Sequence, residues 1–139
     1  MISQRGTCVR RQVGCVLVDI EGHTIGTGYN GPPSGWQHCT DVACPGATAA
    51  SGVGLEICEA IHAEQNALLQ TSRVRHIEAA YVTDAPCIHC TKLLLNTGCK
   101  RIYYARSYSA SGTSLWLKAG REIIQTDPEP VNWGRMRRG

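Results

Sequence analysis

The sequence predicts an α/β domain in which one sheet is covered by helices on both faces. Three observations predict it. The first two strand-like runs are separated only by a short turn, helix-like and strand-like segments alternate from about residue 56 onward, and the 139 residues are 42% hydrophobic against 18% charged, a balance that suits one globular domain with a real core.

Residues 13–19, "VGCVLVD", are almost continuously apolar, as a strand buried on both faces should be, and "IEGH" turns the chain into a second strand at 24–30, "TIGTGYN". Residues 31–54 are rich in Gly, Pro, Ala and Ser, a long irregular stretch of the kind that is usually functional or stapled by a metal. A helix is expected over about 56–71, a strand at 79–84, "AAYVTD", and a helix over 87–98 that stops at Gly98. A strand at 101–105, "RIYYA", a helix at 111–120 leaving through Gly120 and a strand at 122–125, "EIIQ", complete the pattern. Residues 126–139 read as a C-terminal tail on a single domain spanning 1–139, and no internal repeat is present.

The net charge of +3 is unevenly distributed. Residues 1–11 carry Arg5, Arg10 and Arg11, residues 135–139 carry Arg135, Arg137 and Arg138, and the body from 12 to 134 holds 8 bases against 11 acids, a net of −3. With 6% aromatic residues and no phenylalanine, that body lacks the basic and aromatic interleaving of a single-strand nucleic-acid groove, and no stable nucleic-acid partner is expected. The basic ends read as solvated tails or as phosphate grips. No apolar run reaches the roughly 18 residues of a membrane span, and "MISQRGTCVRR" has no apolar run of signal-peptide length, so an intracellular, cytoplasmic protein is expected. In a reducing compartment, eight cysteines are metal ligands or small buried hydrophobes rather than disulfides.

"DAPCIHC" sets Cys87 and Cys90 three apart, with Pro86 marking the break between strand and helix. At a helix start, thiolates meet free backbone N–H groups and the positive end of the dipole, which favour the metal-binding form. By itself a CxxC is a redox dithiol or half of a structural zinc site. Together with His62 it supplies three of zinc's four ligands, and the fourth position is the one a catalytic site leaves open to water. Glu64, two residues after His62, then has a task that a structural zinc does not require: a carboxylate beside an activated water can take its proton and deliver it to a leaving group.

His62-Ala63-Glu64 followed by Pro86-Cys87-Ile88-His89-Cys90 is the zinc-deaminase signature. Within that superfamily the chain resembles the deoxycytidylate (dCMP) deaminases over nearly all of residues 7–125, through "TCVRRQVGCVLVD", "GTGYNGPPSG", "IHAEQNALLQ", "YVTDAPCIHCTKLLLNTG" and "RIYYARSY". The most discriminating piece is "GYNG" followed by Pro33 and Gly35, because the related tRNA adenosine deaminases differ after their asparagine. The resemblance implies a three-layer α/β/α cytidine-deaminase-like fold with a five-stranded mixed sheet and hydrolytic deamination of dCMP to dUMP, the precursor of thymidylate. It further implies a catalytic zinc ion on His62, Cys87 and Cys90, Glu64 as proton shuttle, and a homohexamer activated by dCTP with magnesium and inhibited by dTTP. A compact enzyme of this kind would also suit a virus, in which case it acts in the host cytoplasm. The family usually has a helix before the "TC" segment, whereas six residues precede Thr7 here, so that helix is dispensable or another subunit covers the face.

By the same resemblance, Asn30 binds the deoxyribose, Ala63 adds a substrate contact, Tyr108 closes over the substrate, and Gly31, Pro33 and Gly35 form part of an allosteric nucleotide pocket; the bland alternative for Gly31 to Gly35 is a tight loop. The substrate phosphate calls for an arginine, whose planar fork suits phosphate oxygens. Arg5 and Arg10 are unranked candidates, and each can equally be a solvated or structural arginine. Some deoxycytidylate deaminases carry a second, structural zinc, which here would use Cys8, His38, Cys44 and Cys58 or a permutation with Cys39; the alternative is buried free thiols. Cys15 and Cys99 read as core, and His23, His76 and His89 as surface or structural residues. A tRNA or nucleoside deaminase would share the zinc chemistry, and a non-catalytic nucleotide sensor or zinc-stabilised interaction module would keep the ligands but have no use for Glu64.

Overall fold

The computed structural model describes residues 13–31, 61–108 and 110–126. Strands β1 (Gly14–Val18), β2 (Thr24–Tyr29), β3 (Ala79–Asp84), β4 (Arg101–Arg106) and β5 (Glu122–Gln125) form one sheet in the order β2-β1-β3-β4-β5. β1 pairs antiparallel with β2 and with β3, whereas β3, β4 and β5 run parallel, which is the mixed five-stranded sheet expected. The apolar run of β1 follows from its place: it has a strand on either side and buries Cys15, Val16 and Leu17.

The β1–β2 turn is built on Asp19. Its carboxylate accepts from the N–H groups of Glu21 and His23 at 3.0 and 2.9 Å, and Gly22 supplies the left-handed residue at φ 83°. At that end of the sheet Asp19 also pairs with Arg73, and Glu78 pairs with Arg101 and Lys100 where β4 begins.

Helices α1 (Ala63–Gln70), α2 (Ile88–Leu95) and α3 (Ala110–Lys118) contribute Ala63 and Ala67, Leu94, and Trp116 to one core cluster. The sheet meets them through Cys15, Leu17, Ala80, Val82 and Ile102, which share a face because the register sets Leu17 opposite Ala80 and Ala80 opposite Ile102. The two parallel crossovers, β3–α2–β4 and β4–α3–β5, step across the sheet in one direction, so crossovers of the same hand place both helices on the same side. The opposite face presents Val16, Ala79, Thr83 and Ala105, all buried, and a cross-strand stack of Tyr81 on Tyr103 with centroids 4.8 Å apart. All three described α-helices therefore lie against one face, and among the described residues no helix covers the other; the tail from residue 127 lies outside them.

Three helix limits differ from expectation. α1 begins at Ala63, not near 56, because Ile61 pairs across to Gly31 through two backbone hydrogen bonds and His62 remains extended at φ −70°, ψ 152°. α2 stops at Leu95 and reaches Gly98 through turns in which Asn96 and Thr97 donate to carbonyls three residues back. The carbonyls of Leu94 and Leu95 at that end accept from the Arg121 guanidinium, which lies over the Trp116 ring at 5.2 Å and so fastens α2 to α3 and β5. α3 ends at Lys118, before the left-handed Gly120 at φ 79°.

Close approach of α1 to the sheet depends on two glycines of β2. A Cβ on Gly26 would lie 2.8 Å from the Ala67 carbonyl oxygen, and one on Gly28 would collide with the Ala63 carbonyl oxygen and the Ala67 backbone nitrogen. Because the obstacles are backbone, Gly28→Ala must lift α1 off the sheet, and we expect it to lower unfolding stability by about 3 kcal/mol in urea denaturation, at the upper end of ordinary overpacking costs.

Candidate active site

Two chain reversals meet at one edge of the sheet. β3 ends at Asp84, Ala85 donates its N–H to the Arg106 carbonyl at 2.9 Å, and the fully buried Pro86 turns the chain so that Cys87 stands extended at the N-cap of α2, with Cys90 in its first turn. His62 holds the same position at the head of α1: its N–H donates to the Gln65 side chain at 2.9 Å and its carbonyl accepts from Asn66 at 3.0 Å. Asn66 in turn donates to the Tyr29 carbonyl at 2.8 Å, tying this turn to the end of β2.

The result is a compact donor set. His62 Nδ1 lies 3.3 Å from Cys90 Sγ and 3.5 Å from Cys87 Sγ, and the three ligand atoms all fall within 4.8 Å of one another. A tetrahedral zinc with bonds of about 2.0 Å to nitrogen and 2.3 Å to sulfur separates such atoms by roughly 3.5 Å, so the residues present fit the ion. Electrostatics favours it too. A hydrogen bond from Cys90, helped by His62, holds the Cys87 thiol down to about 3, while the same contact and burial push Cys90 far up, so one proton is shared between two sulfurs. His62 is raised, chiefly by its hydrogen bond with Cys87. A dication replaces that proton and lets both sulfurs ionise.

Glu64 lies in the first turn of α1, 4% exposed, and burial pushes its carboxyl up to about 7, with the charges of Cys87 and Asp84 adding to the rise. A carboxyl balanced between its two protonation states beside a three-donor metal position can accept and return a proton.

Other residues singled out by sequence gather nearby. Asn30 is buried at the exit of β2, where its Oδ1 accepts from the Val13 N–H at 2.9 Å, and Gly31 bridges to Ile61, the neighbour of His62. Ala63 is buried against Gly28, and Tyr108 follows β4 at the edge where β3 and β4 end. Cys15 and Cys99 are fully buried in the core as read, the Cys99 thiol raised to about 12 by burial, and His23, His76 and His89 are exposed. Arg5, Arg10, Pro33, Gly35 and the second-zinc candidates Cys8, His38, Cys39, Cys44 and Cys58 lie outside the described residues.

Sequence reasoning missed an ion pair at this edge. Asp84 and Arg106 face each other in the β3–β4 register and form an ion pair, Arg106 Nε standing 2.7 Å from Asp84 Oδ1, the carboxylate buried and the guanidinium half exposed. Opposite charges ending two consecutive parallel strands were the available signal.

Residues 1–106 match the model of the cytidine and deoxycytidylate deaminase zinc-binding region. A deoxycytidylate deaminase of Schizosaccharomyces pombe is 37% identical over 134 residues, which are 92% of this chain but 41% of the relative, so the chain spans less than half of that protein's length. The deoxycytidylate deaminase of Mycobacterium phage D29 is 40% identical over 111 residues, 75% of this chain and 85% of the phage protein. Among solved structures, the dCMP deaminase of cyanophage S-TIM5 in complex with dCMP and dUMP superposes with a TM-score of 0.68 at 27% identity, covering 89% of this chain and 88% of the other.

α3 braces the Cys87 turn through Gly112, whose Cβ would collide with the Pro86 carbonyl oxygen and stand 2.8 Å from Thr91 Oγ1 and 3.1 Å from the Cys87 carbonyl carbon. Gly112→Ala must displace Cys87 relative to His62, and a competing chelator should report zinc affinity weakened on the order of 10-fold with far-UV dichroism preserved. An unchanged affinity would mean that the turn holds its place without α3.

Proposed function

The chain belongs to the cytidine and deoxycytidylate deaminase family, and on that footing we propose that it hydrolyses dCMP to dUMP and ammonia for thymidylate synthesis. The observation that carries the proposal is one piece of geometry: Nδ1 of His62 faces both thiols of the Pro86-Cys87-x-x-Cys90 turn while the buried carboxyl of Glu64 sits one residue into the same helix. Support for dCMP over other cytosine compounds comes from the names of the relatives and from the phage enzyme's complex with dCMP and dUMP.

His62, Cys87 and Cys90 would hold zinc, which supplies the Lewis acidity that makes the attacking water available near neutral pH. Everything else is done by the chain. Glu64 takes a proton from that water and carries it to N3 of the cytosine ring so that C4 becomes electrophilic and the water oxygen bonds to it; Glu64 then takes the remaining proton of the new C4 hydroxyl and delivers it to the amine, which leaves as ammonia as the C4–N bond breaks and the C4 carbonyl forms. Burial is what permits both transfers, since a carboxyl near 7 neither keeps its proton nor refuses it at neutral pH. Asn30, held by Val13, orients the deoxyribose, Ala63 packs beneath the ring, and Tyr108 closes the open side.

Regulation is proposed on the match of "GYNG" with Pro33 and Gly35: dCTP with magnesium activates, dTTP inhibits, and Gly31 lies in the effector pocket of a homohexamer acting in the cytoplasm or, for a virus, in that of the host. Among the described residues, no helix is long and apolar enough to cross a membrane. A structural zinc on Cys8, His38, Cys44 and Cys58 or Cys39 would raise the metal content to two per chain.

The test is ammonia release from dCMP, deoxycytidine, dCTP and a tRNA anticodon loop, with zinc counted per chain. We expect turnover of dCMP above the rest, suppression by dTTP, and a fall on the order of 10³-fold or more in kcat for Glu64→Ala at unchanged zinc content, within the range by which removing a proton shuttle slows catalysis. Turnover of the anticodon loop in place of dCMP would reassign the substrate, and full activity in the variant would remove Glu64 from the mechanism.

A further inference from the structure

The proton chemistry is complete without any group that recognises a phosphate, and a dianionic nucleotide entering this edge would meet two thiolates, Glu64 and Asp84. We propose that Arg106, fixed by the buried Asp84, is the cation that binds the 5′-phosphate and selects nucleotide over nucleoside; the inference rests on the dCMP reading above.

Topology makes the first argument. In an open α/β sheet, ligands bind beyond the carboxyl ends of the parallel strands. Here that edge carries the donor triad, and Arg106 is the last residue of β4 on it. Among the described residues it is the one Arg or Lys so placed. Arg73, Lys100 and Arg101 pair with Asp19 or Glu78 at the opposite edge. Arg75 and Arg121 donate to carbonyls at the far end of α2, while Lys92 and Lys118 lie within α2 and at the end of α3.

Orientation makes the second. Asp84 and Arg106 alternate with Val82 and Tyr104, so both side chains stand on the face that carries α1, α2 and the triad. Asp84 ends β3 three residues before Cys87, and Ala85 between them donates its N–H to the Arg106 carbonyl, which places the pair beside the donor triad. A surface ion pair would contribute little, but this carboxylate is 4% exposed while its partner is half exposed, so the buried group anchors a half-exposed guanidinium. The ion pair keeps the guanidinium at this end of the sheet, and a planar fork is the group that suits phosphate oxygens.

Asp84 and Arg106 are thus a specificity device, separate from the proton path. Zinc-loaded protein is titrated calorimetrically with dUMP, deoxyuridine and inorganic phosphate, using wild type, Arg106→Gln and Arg106→Lys, with zinc content and dichroism measured on each. The expected result is that Arg106→Gln weakens dUMP on the order of 30-fold and deoxyuridine by less than about 3-fold, while Arg106→Lys, a point charge without the fork, recovers part of the loss. The same split should appear in kcat/KM for dCMP against deoxycytidine. Equal weakening of dUMP and deoxyuridine would make the pair merely structural and overturn the inference, and a dUMP preference that survives in Arg106→Gln would assign the phosphate elsewhere and overturn it alone. A wild type with no preference for dUMP over deoxyuridine overturns it together with the dCMP reading. Inorganic phosphate competing with dUMP in wild type, and ceasing to compete in Arg106→Gln, would confirm that the phosphate is what is recognised.

Discussion

Everything at this site depends on two helices starting side by side at one edge of a sheet. A nitrogen of α1's cap has to stand about 3.5 Å from sulfurs of α2's cap and first turn, and neither helix could be that close with ordinary side chains beneath it. Gly28 lets α1 rest its backbone on β2, and Gly112 lets α3 press on the Pro86–Cys87 peptide from the other side. The donor geometry is therefore a consequence of backbone packing some way from the donors. That separates this design from a zinc site whose ligands hang from mobile loops, because here the metal position is largely set when the core closes.

Core and chemistry are continuous in a second sense. Cys90 belongs to the metal group yet is as fully buried as Cys15 and Cys99, and Glu64 is nearly as buried as Ala67 one turn on. Burial raises every one of these groups, so in the absence of a cation their protonated forms are favoured. A dication on these donors would reverse that balance, as thiolates must replace thiols. The same burial thus acts on the sulfur donors and on the carboxyl beside them.

Legibility followed range. β1 was readable because a strand between two neighbours shows an unbroken apolar run, and the CxxC was readable because both ligands and the proline sit within five residues. His62 and Glu64 could be joined to it only through the signature, since 25 residues separate His62 from Cys87. The start of α1 was misplaced because the Gly31–Ile61 bridge that holds Ile61 outside the helix is a contact between residues 30 apart, and helix propensity alone carries no trace of it. Gly28 and Gly112 are each a contact surface for another element, which a strand or helix pattern does not reveal. Asp84 and Arg106 were invisible for a similar reason: their pairing follows from the β3–β4 register, which a chain of alternating elements implies only in outline.

The mixed topology finally explains why charge is sorted between the two edges of the sheet. Where β3 and β4 begin, Asp19, Glu78 and Arg121 are spent on turns, strand starts and the end of α2, interactions that close the fold and leave little chemistry available. Where they end, the helices begin, so free N–H groups and positive dipole ends converge with the sulfurs, and negative groups are tolerated that would repel one another elsewhere. Arg106 is the exception in sign at that edge. An isolated cation there would oppose a metal ion on the three donors, whereas one paired with a buried carboxylate brings its charge already compensated, and this is how the sheet end can carry a guanidinium next to a metal-binding donor set.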